Sequence, residues 1–169
     1  PSKSSAASDV YKRQDRVIEK GDFVLMDYGA GYCDYRSDMT RTVVMGEPTQ
    51  EQLDLYALVR RTHEECVAAI HPGVEGNDIF KLSKKIIGDA GYGDYYNHGL
   101  GHGVGIDIHE LPNFNRSKNT IEVGSVITME PGVYLPGVGG VRLEDYGVVT
   151  ENGYEPFTKT PHDLHVIDC

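Results

Sequence analysis

The stretch NHGLGHGVGIDIHE, from Asn97 to Glu110, places three histidines among four glycines. Histidine is a common metal ligand and also serves as an acid, a base or a carbonyl-binding group. The glycines around His98 and His102 disfavour a helix. The alternating apolar residues of GVGIDIHE, which ends just after His109, predict a strand. The plain alternative is three unrelated histidines in a loop and a strand, so the choice depends on the acidic residues elsewhere in the chain.

Two pairs of acidic residues lie on predicted strands before and after this stretch. DFVLMDYGA and YRSDMTRTVVMG predict one antiparallel pair, in which the first strand is a buried apolar run. SVITMEPGVYLPG and GVRLEDYGVVTENG predict two more strands, and GYEPFT extends that sheet. The acidic residues are Asp27 and Asp38 in the first pair, and Glu130 and Glu144 in the last.

A buried carboxylate is costly unless it is paired with a cation or coordinated to a metal. Arg41 and Arg142 offer ordinary salt bridges, which would explain one such acid alone. Four carboxylates with the imidazole of His102 favour two divalent cations bridged by carboxylates. Such a pair can hold a bridging hydroxide and polarise a carbonyl, which is hydrolytic chemistry.

Two helices are predicted between the strand pairs. PTQEQLDLYALVRRTHEECVAAIHPG has apolar residues at helical spacing, with Thr49 as the N-cap and Gln52 at the third helical position. Pro72–Gly73 stops this helix. EGNDIFKLSKKIIGDAGY predicts a second helix, capped by Asn77 or Asp78. Strands, then helices, then more strands predict one α+β domain.

The composition narrows the classes of function. The formal net charge is -10, which argues against nucleic acid as a partner, although a solvated acidic surface explains most of that charge. The three cysteines form no CxxC motif, so we expect free thiols in a reducing cytoplasm and no disulfide scaffold. No apolar run approaches the roughly 18 residues of a membrane span, and no signal peptide is visible, so no membrane partner is expected.

The first residues differ in character from the rest of the chain. PSKSSAASDVYKRQ lacks periodicity, and its DVYKRQ segment resembles the in-frame translation of a sequencing adaptor. We therefore expect residues 1–14 to be non-native and exclude them from the fold prediction.

Four segments in combination resemble the catalytic domain of the pita-bread metallopeptidases. They are DYGAGYCDYRSDMTRT, HGLGHGVGIDIHELP, TMEPGVYLPG and GVRLEDYGVVTENG. This family includes aminopeptidase P, Xaa-Pro dipeptidase (prolidase) and methionine aminopeptidase, and SDMTRT with VRLEDYG resembles the proline-directed branch. The resemblance implies a fold of two pseudo-two-fold halves whose N-terminal part is missing here, so that 15–169 is a partial catalytic domain.

The resemblance also implies a set of metal ligands. These would bind two divalent ions, with manganese as the family's commonest metal and cobalt or zinc as possibilities. The implied ligands are Asp27, Asp38, His102, Glu130 and Glu144. Asp38 and Glu144 would bridge both ions, Asp27 would serve one ion, and His102 with Glu130 would serve the other.

Further roles follow from the same resemblance. Glu130 would pass a proton from the bridging water to the departing amine. His109 would contact the scissile carbonyl, His98 would line the substrate pocket, and Arg142 would orient ligand carboxylates. The remaining histidines are expected on the surface: His63, His71, His162 and His165.

The implied activity is hydrolysis of the bond between an N-terminal residue and a following proline in a peptide. Methionine aminopeptidase-like activity is the nearest alternative. A non-catalytic pita-bread binding module and a metal-independent, creatinase-type hydrolase are the others. The full-length protein would be a cytoplasmic homo-oligomer, and this truncated chain would be poorly stable and weakly active or inactive alone.

Overall fold

The computed structural model of the protein describes residues 17–116 and 118–168. The segment expected to be non-native, 1–14, lies outside the described residues. The first strands are β1 (Phe23–Tyr28), β2 (Gly31–Tyr32), β3 (Tyr35–Arg36), β4 (Met39–Met45), β5 (Gly101–Gly103) and β6 (Glu110–Phe114). The later strands are β7 (Val126–Met129), β8 (Gly132–Leu135), β9 (Gly139–Arg142), β10 (Asp145–Thr150), β11 (Gly153–Pro156) and β12 (His165–Ile167). The helices are α1 (Gln50–Ala68), α2 (Gly76–Asp89) and a short 3-10 turn (Gly93–Tyr95).

Two sheets meet near the middle of the domain. One has three strands in the order β1-β4-β12, and the other has five in the order β11-β10-β7-β5-β6. The predicted antiparallel pairing of β1 with β4 is confirmed, and so is the extension of the second sheet by β11. An isolated antiparallel bridge between Thr40 and Glu144 joins β4 to the residue before β10. This junction is where the acidic residues of both sheets meet.

Helix α1 begins as the sequence predicts. The Thr49 hydroxyl accepts a hydrogen bond from the Gln52 amide, and the Gln52 side chain accepts one from the Thr49 amide. This reciprocal capping box satisfies two amides at the helix start. The helix ends at Ala68, a few residues before the predicted stop at Pro72–Gly73.

The predicted cap of helix α2 is wrong. The N-cap is Glu75, which makes no side-chain hydrogen bond to the helix start. Asn77 and Asp78 are already helical; the Asn77 amide group donates to the Asn115 carbonyl instead, at 2.8 Å. The helix therefore starts two or three residues earlier than the predicted caps, Asn77 or Asp78, would place it.

The two helices pack against each other; α1 also packs against the five-stranded sheet and the β8–β9 hairpin, and α2 packs against β6. From α1 the core includes Leu55 and Val59, and from α2 it includes Ile87, all fully buried. Met129 from the sheet lies against them in the same cluster. In the described part of the chain, neither helix combines the length and apolarity that crossing a membrane requires.

The strand predicted from GVGIDIHE is wrong over most of its length. Strand β5 ends at Gly103, and β6 begins only at Glu110. Between them the Gly105 amide donates to the Asp107 carbonyl and the Asp107 amide donates to the Glu110 carboxylate, which forms a bend. His109 therefore lies in the loop between β5 and β6 and not in a strand. The alternating apolar residues of this segment belong to that loop.

The surface prediction is wrong for His63. Its side chain is on helix α1, four residues after Val59 and three before Cys66, and is 2% exposed. That spacing is the buried stripe of the helix, so the period itself contained the signal. His71 and His165 are exposed as predicted.

Candidate metal centre

Five functional side chains predicted from the sequence lie at or beside the ends of strands. Asp27 is in β1 and Asp38 immediately precedes β4. His102 is the middle residue of β5, Glu130 immediately follows β7, and Glu144 immediately precedes β10. Because these strand ends converge where the two sheets meet, residues far apart in the chain become neighbours.

The distances place these side chains in one cluster. One ligand atom each from Asp38, His102 and Glu144 lie within 4.8 Å of one another. The Nε2 atom of His102 is 3.7 Å from the Asp38 Oδ2 atom and 3.5 Å from the Glu130 Oε1 atom. Asp27 lies beside Asp38 at the outer side of the cluster, close enough to help raise the pKa of Asp38. The Asp27 side chain is 43% exposed, so its predicted burial is wrong; β1 is the edge strand of its sheet.

The ring of His102 is oriented for coordination through Nε2. Its Nδ1 atom lies 2.9 Å from the Gly103 carbonyl oxygen, which is an acceptor. We assign the N–H to Nδ1 on this basis, which leaves the Nε2 lone pair facing the carboxylates. Burial lowers the pKa of His102 below its usual value, which favours the neutral ring that a metal requires.

The glycines beside His102 are needed for the close packing of three strands. A Cβ atom at Gly101 would lie 2.2 Å from the Thr128 carbonyl oxygen, and one at Gly103 would lie 2.3 Å from the Leu111 carbonyl oxygen. Both distances are far below van der Waals contact. Glycine at these two positions therefore allows β5 to lie between its neighbours and fixes the His102 backbone.

The carboxyl groups of the cluster resist ionisation. Burial raises the pKa of Asp38 to about 6, with the nearby Asp27 adding to the effect. Burial also raises the pKa of Glu130 to about 8, opposed by Arg142 and reinforced by Asp38. Burial, then Glu130 and Asp38, raise the pKa of Glu144 well above its usual value. The cluster contains several buried carboxyls and one imidazole, and its positive charge is too small to balance the carboxyls. Such a donor set fits divalent cations.

Arg142 contributes positive charge at the edge of the cluster. It forms an ion pair with Asp27, and its Nε atom lies 3.9 Å from the Glu130 Oε2 atom. It also donates to the Tyr134 hydroxyl at 3.0 Å and to the Thr40 hydroxyl at 3.1 Å. Burial opposes its charge, but the neighbouring tyrosine and carboxylates raise the pKa of Arg142 above its usual value. The guanidinium therefore holds several side chains around the cluster in place.

Two residues of this site were not predicted from the sequence. The Thr40 hydroxyl donates to the Glu144 Oε2 atom at 2.5 Å. Thr40 lies two residues after Asp38, on the same face of the extended chain, so the strand period could have identified it. The Tyr134 hydroxyl lies 3.2 Å from the His98 Nε2 atom, and no sequence spacing linked those two residues.

An open cleft of about 370 Å³ lies beside the cluster. His109 lines it together with Asp27 and Asp38, and the His109 ring centroid is 4.4 Å from that of His102. His98 lies elsewhere: it contacts Tyr134 and its Nδ1 atom meets the Gly99 carbonyl at 2.7 Å. His109 therefore lies on the side of the cluster that opens to the cleft, and His98 lies on the side where Tyr134 and Arg142 are.

The fold is that of a metallopeptidase family. The chain matches metallopeptidase family M24 over residues 2–151 and belongs to that family. It is 45% identical to the Xaa-Pro dipeptidase of Pyrococcus furiosus and 43% identical to that of Pyrococcus horikoshii. Each alignment covers 89% of this chain and 43% of the relative, so the chain spans less than half the length of these relatives.

Solved structures give the same result for the fold. The prolidase from Pyrococcus horikoshii OT3 superposes with a TM-score of 0.87 at 42% identity, over 89% of this chain and 44% of that one. The Xaa-Pro dipeptidase from Bacillus anthracis superposes with a TM-score of 0.88 at 41% identity, over 91% and 44%. The α+β pita-bread fold and the family predicted from the sequence are confirmed.

Proposed function

We propose that the full-length protein containing this domain is an Xaa-Pro peptidase. It would hydrolyse the bond between an N-terminal residue and a following proline. The observation that carries the proposal is the buried cluster of Asp38, His102, Glu130 and Glu144 in a domain of metallopeptidase family M24. The relatives named Xaa-Pro dipeptidases support the choice of proline at the second position.

Two divalent cations fit the donor set, and manganese is the ion we expect, with cobalt or zinc as alternatives. In this proposal Asp38 and Glu144 bridge the two ions, Asp27 binds one, and His102 with Glu130 binds the other. Bound there, the ions would supply an activated water molecule and polarise the scissile carbonyl. The raised pKa values of the carboxyls support this, because binding would displace protons that otherwise neutralise the cluster.

Glu130 would move the proton. Its carboxyl is buried beside His102 and within 3.9 Å of Arg142, so it has a fixed position at the edge of the cluster. In the proposed reaction it takes a proton from the attacking water and returns it to the departing amine. Arg142 would hold both Asp27 and Glu130 in orientation.

The histidines outside the ligand set would act on the substrate. His109 is exposed in the cleft beside His102, where it can donate to the carbonyl oxygen of the scissile bond. His98 would line the substrate pocket on the Tyr134 side of the cluster, outside the cleft that His109 lines. Burial lowers the pKa of His98 to about 4, so it stays neutral and accepts a hydrogen bond from the Tyr134 hydroxyl.

The test is hydrolysis of Xaa-Pro dipeptides and longer Xaa-Pro peptides by the full-length protein loaded with Mn²⁺. We expect cleavage that falls by about 10²–10⁴-fold in Glu130→Ala, the range for loss of a general acid–base. Glu151→Ala, at an exposed turn after β10, is the matched control and should keep activity. The 169-residue chain, assayed in parallel, is expected to be weakly active or inactive.

The other readings give different results in the same assay. Preference for Met-Ala over Xaa-Pro peptides would favour methionine aminopeptidase-like activity. Full activity after chelation of all metal would favour a creatinase-type hydrolase. Peptide binding without cleavage would favour a binding module. The cytoplasmic location, the homo-oligomer and the division into 1–14 and 15–169 remain predictions.

A further inference from the structure

A second group of metal-ligand side chains lies behind the carboxylate centre, on the opposite side of the extended segment formed by Glu144 and Asp145. It consists of His63 from α1, Asp145 at the start of β10, and His162 from the segment before β12. One ligand atom from each lies within 4.8 Å of the others. The Asp145 Oδ2 atom is 2.6 Å from the His162 Nε2 atom and 3.4 Å from the His63 Nε2 atom. Three elements distant in sequence therefore direct donor atoms at one point.

His63 has unsatisfied hydrogen-bonding capacity at this point. It is 2% exposed, and within the described ranges neither ring nitrogen has a hydrogen-bond partner. Its contact with Asp145 is close enough for electrostatic attraction but lacks hydrogen-bond geometry. Burial lowers the pKa of His63 to about 4, so at neutral pH the ring is neutral and has a free lone pair. A buried polar group of this kind is unusual in a native fold and indicates an unseen ion or water.

Arg41 orders the other two donors. It donates to the Asp145 Oδ1 atom at 2.6 Å, which leaves the Oδ2 atom facing the two imidazoles. It also donates to the carbonyl oxygens of Thr160 and Pro161, at 2.8 and 3.2 Å, and so holds the segment that carries His162. The positive charge of Arg41 disfavours hard cations bound mainly by charge. A cation that binds mainly through imidazole lone pairs therefore fits this site better.

We propose that His63, Asp145 and His162 bind one Zn²⁺ ion, separate from the carboxylate centre, with water in the fourth position. Two histidines and one carboxylate are an established zinc ligand set. Ligands roughly 2.1 Å from a tetrahedral ion lie about 3.4 Å apart, which matches the present distance between His63 and Asp145. The shorter distance between Asp145 and His162 would lengthen as their hydrogen bond is replaced by two bonds to zinc.

The first experiment counts zinc in the full-length protein after loading with Zn²⁺ and removal of excess ion. The variant is His162→Gln, because His162 is partly exposed and its replacement leaves the core intact. The control is His165→Gln, on the exposed side of β12. We expect His162→Gln to hold one zinc fewer per chain than the unmodified protein, and His165→Gln to hold the same number. Equal zinc in His162→Gln and the unmodified protein would overturn the proposal, and so would equal losses in both variants.

A second measurement isolates the site from the carboxylate centre. In the double variant Asp38→Asn, His102→Gln the first centre is disabled, and the proposal requires one bound Zn²⁺ per chain. X-ray absorption of that zinc should show two imidazole ligands, and His63→Gln added to the double variant should abolish binding. Absence of zinc from the double variant would overturn the proposal. It would mean that the three side chains enclose water or are joined only by hydrogen bonds. Neither result depends on whether the protein cleaves Xaa-Pro peptides.

Discussion

Glu144 and Asp145 are adjacent acids with opposite surroundings. Successive residues of an extended chain point to opposite sides, so Glu144 faces the candidate metal centre and Asp145 faces the opposite way. The same alternation holds on the facing strand, where Thr40 hydrogen-bonds to Glu144 and Arg41 to Asp145. One pair of dipeptides thus builds two different polar clusters back to back.

The two clusters differ in what they lack. Burial and neighbouring acids raise the pKa of Glu144. Burial also acts to raise the pKa of Asp145, but hydrogen bonds from His162 and Arg41 lower it overall. The Glu144 side therefore has too little positive charge for its carboxyls, whereas on the Asp145 side the charge is compensated and the nitrogens of His63 lack hydrogen-bond partners among the described residues. An excess of buried carboxyls over fixed cations thus indicates a metal on the Glu144 side, whereas on the Asp145 side the indication comes from the unpartnered nitrogens of His63.

The largest expected effect is on catalysis by Glu144→Gln. Removing an outer-shell partner of a metal typically costs 10–100-fold, and we expect about 10³-fold or more for this proposed bridging ligand. Xaa-Pro hydrolysis and Mn²⁺ binding of the full-length protein measure the effect, with the exposed Glu155→Gln as the control. Unchanged metal binding in Glu144→Gln would remove the contrast between the two sides.

The next effect concerns folding stability and Asp145→Ala. This change leaves the buried guanidinium of Arg41 without its charged partner, which typically costs about 3–5 kcal/mol. Urea unfolding should show the loss equally with and without Mn²⁺, because the ion pair lies outside the carboxylate centre. A loss that disappears when Mn²⁺ is added would show that Asp145 acts through the metal instead.

Arg142→Lys should have a smaller effect, confined to the carboxylate side. Lysine cannot reproduce the simultaneous contacts of the guanidinium with Asp27, Tyr134 and Thr40. We expect Mn²⁺ affinity to fall by about 10–100-fold, as for other outer-shell changes. Arg60→Lys, in an exposed ion pair on α1, is the control and should change neither metal affinity nor stability appreciably. Equal behaviour of the two variants would contradict the role given to Arg142.

The smallest effect concerns how the stability of the metal-free protein depends on pH, and here the direction of the change is the prediction. In the metal-free protein the pKa of Glu130 is raised from 4.5 to about 8. Its protonated form therefore favours the folded state, with the full contribution below about pH 4.5 and its loss as pH rises through about 8. The melting temperature of metal-free wild type, relative to Glu130→Gln, should fall over this range, and Mn²⁺ should suppress the fall. A difference that is constant with pH would show that Glu130 ionises normally.

The sequence predicted most where a local rule and a buried face agreed. The Thr49 capping box follows from four consecutive residues, and the β1–β4 pairing follows from two apolar runs with a turn. The convergence of Asp38 and Glu144 followed from their places on predicted strands. Their partner Thr40 was accessible to the same strand period and was overlooked.

Other features depended on tertiary contacts that no local pattern contains. Apolar alternation over 104–109 suggested a strand, but Glu110 hydrogen-bonds back to the Asp107 amide and closes a bend. The helical spacing of His63 predicts its burial, but its contact with Asp145 depends on where β10 lies relative to α1. The contact between Tyr134 on β8 and His98 before β5 likewise joins residues 36 positions apart in the chain.

The bridge between Thr40 and Glu144 has a consequence for measurements of internal motion. Its two amides, each bonded to the other residue's carbonyl at 3.1 and 3.4 Å, span the seam between the two sheets. Their hydrogen–deuterium exchange therefore reports how often the seam opens, independently of any assay of chemistry. A cation bound beside the seam would slow that exchange. The exchange rate of these two amides therefore measures how stably the two sheets are joined.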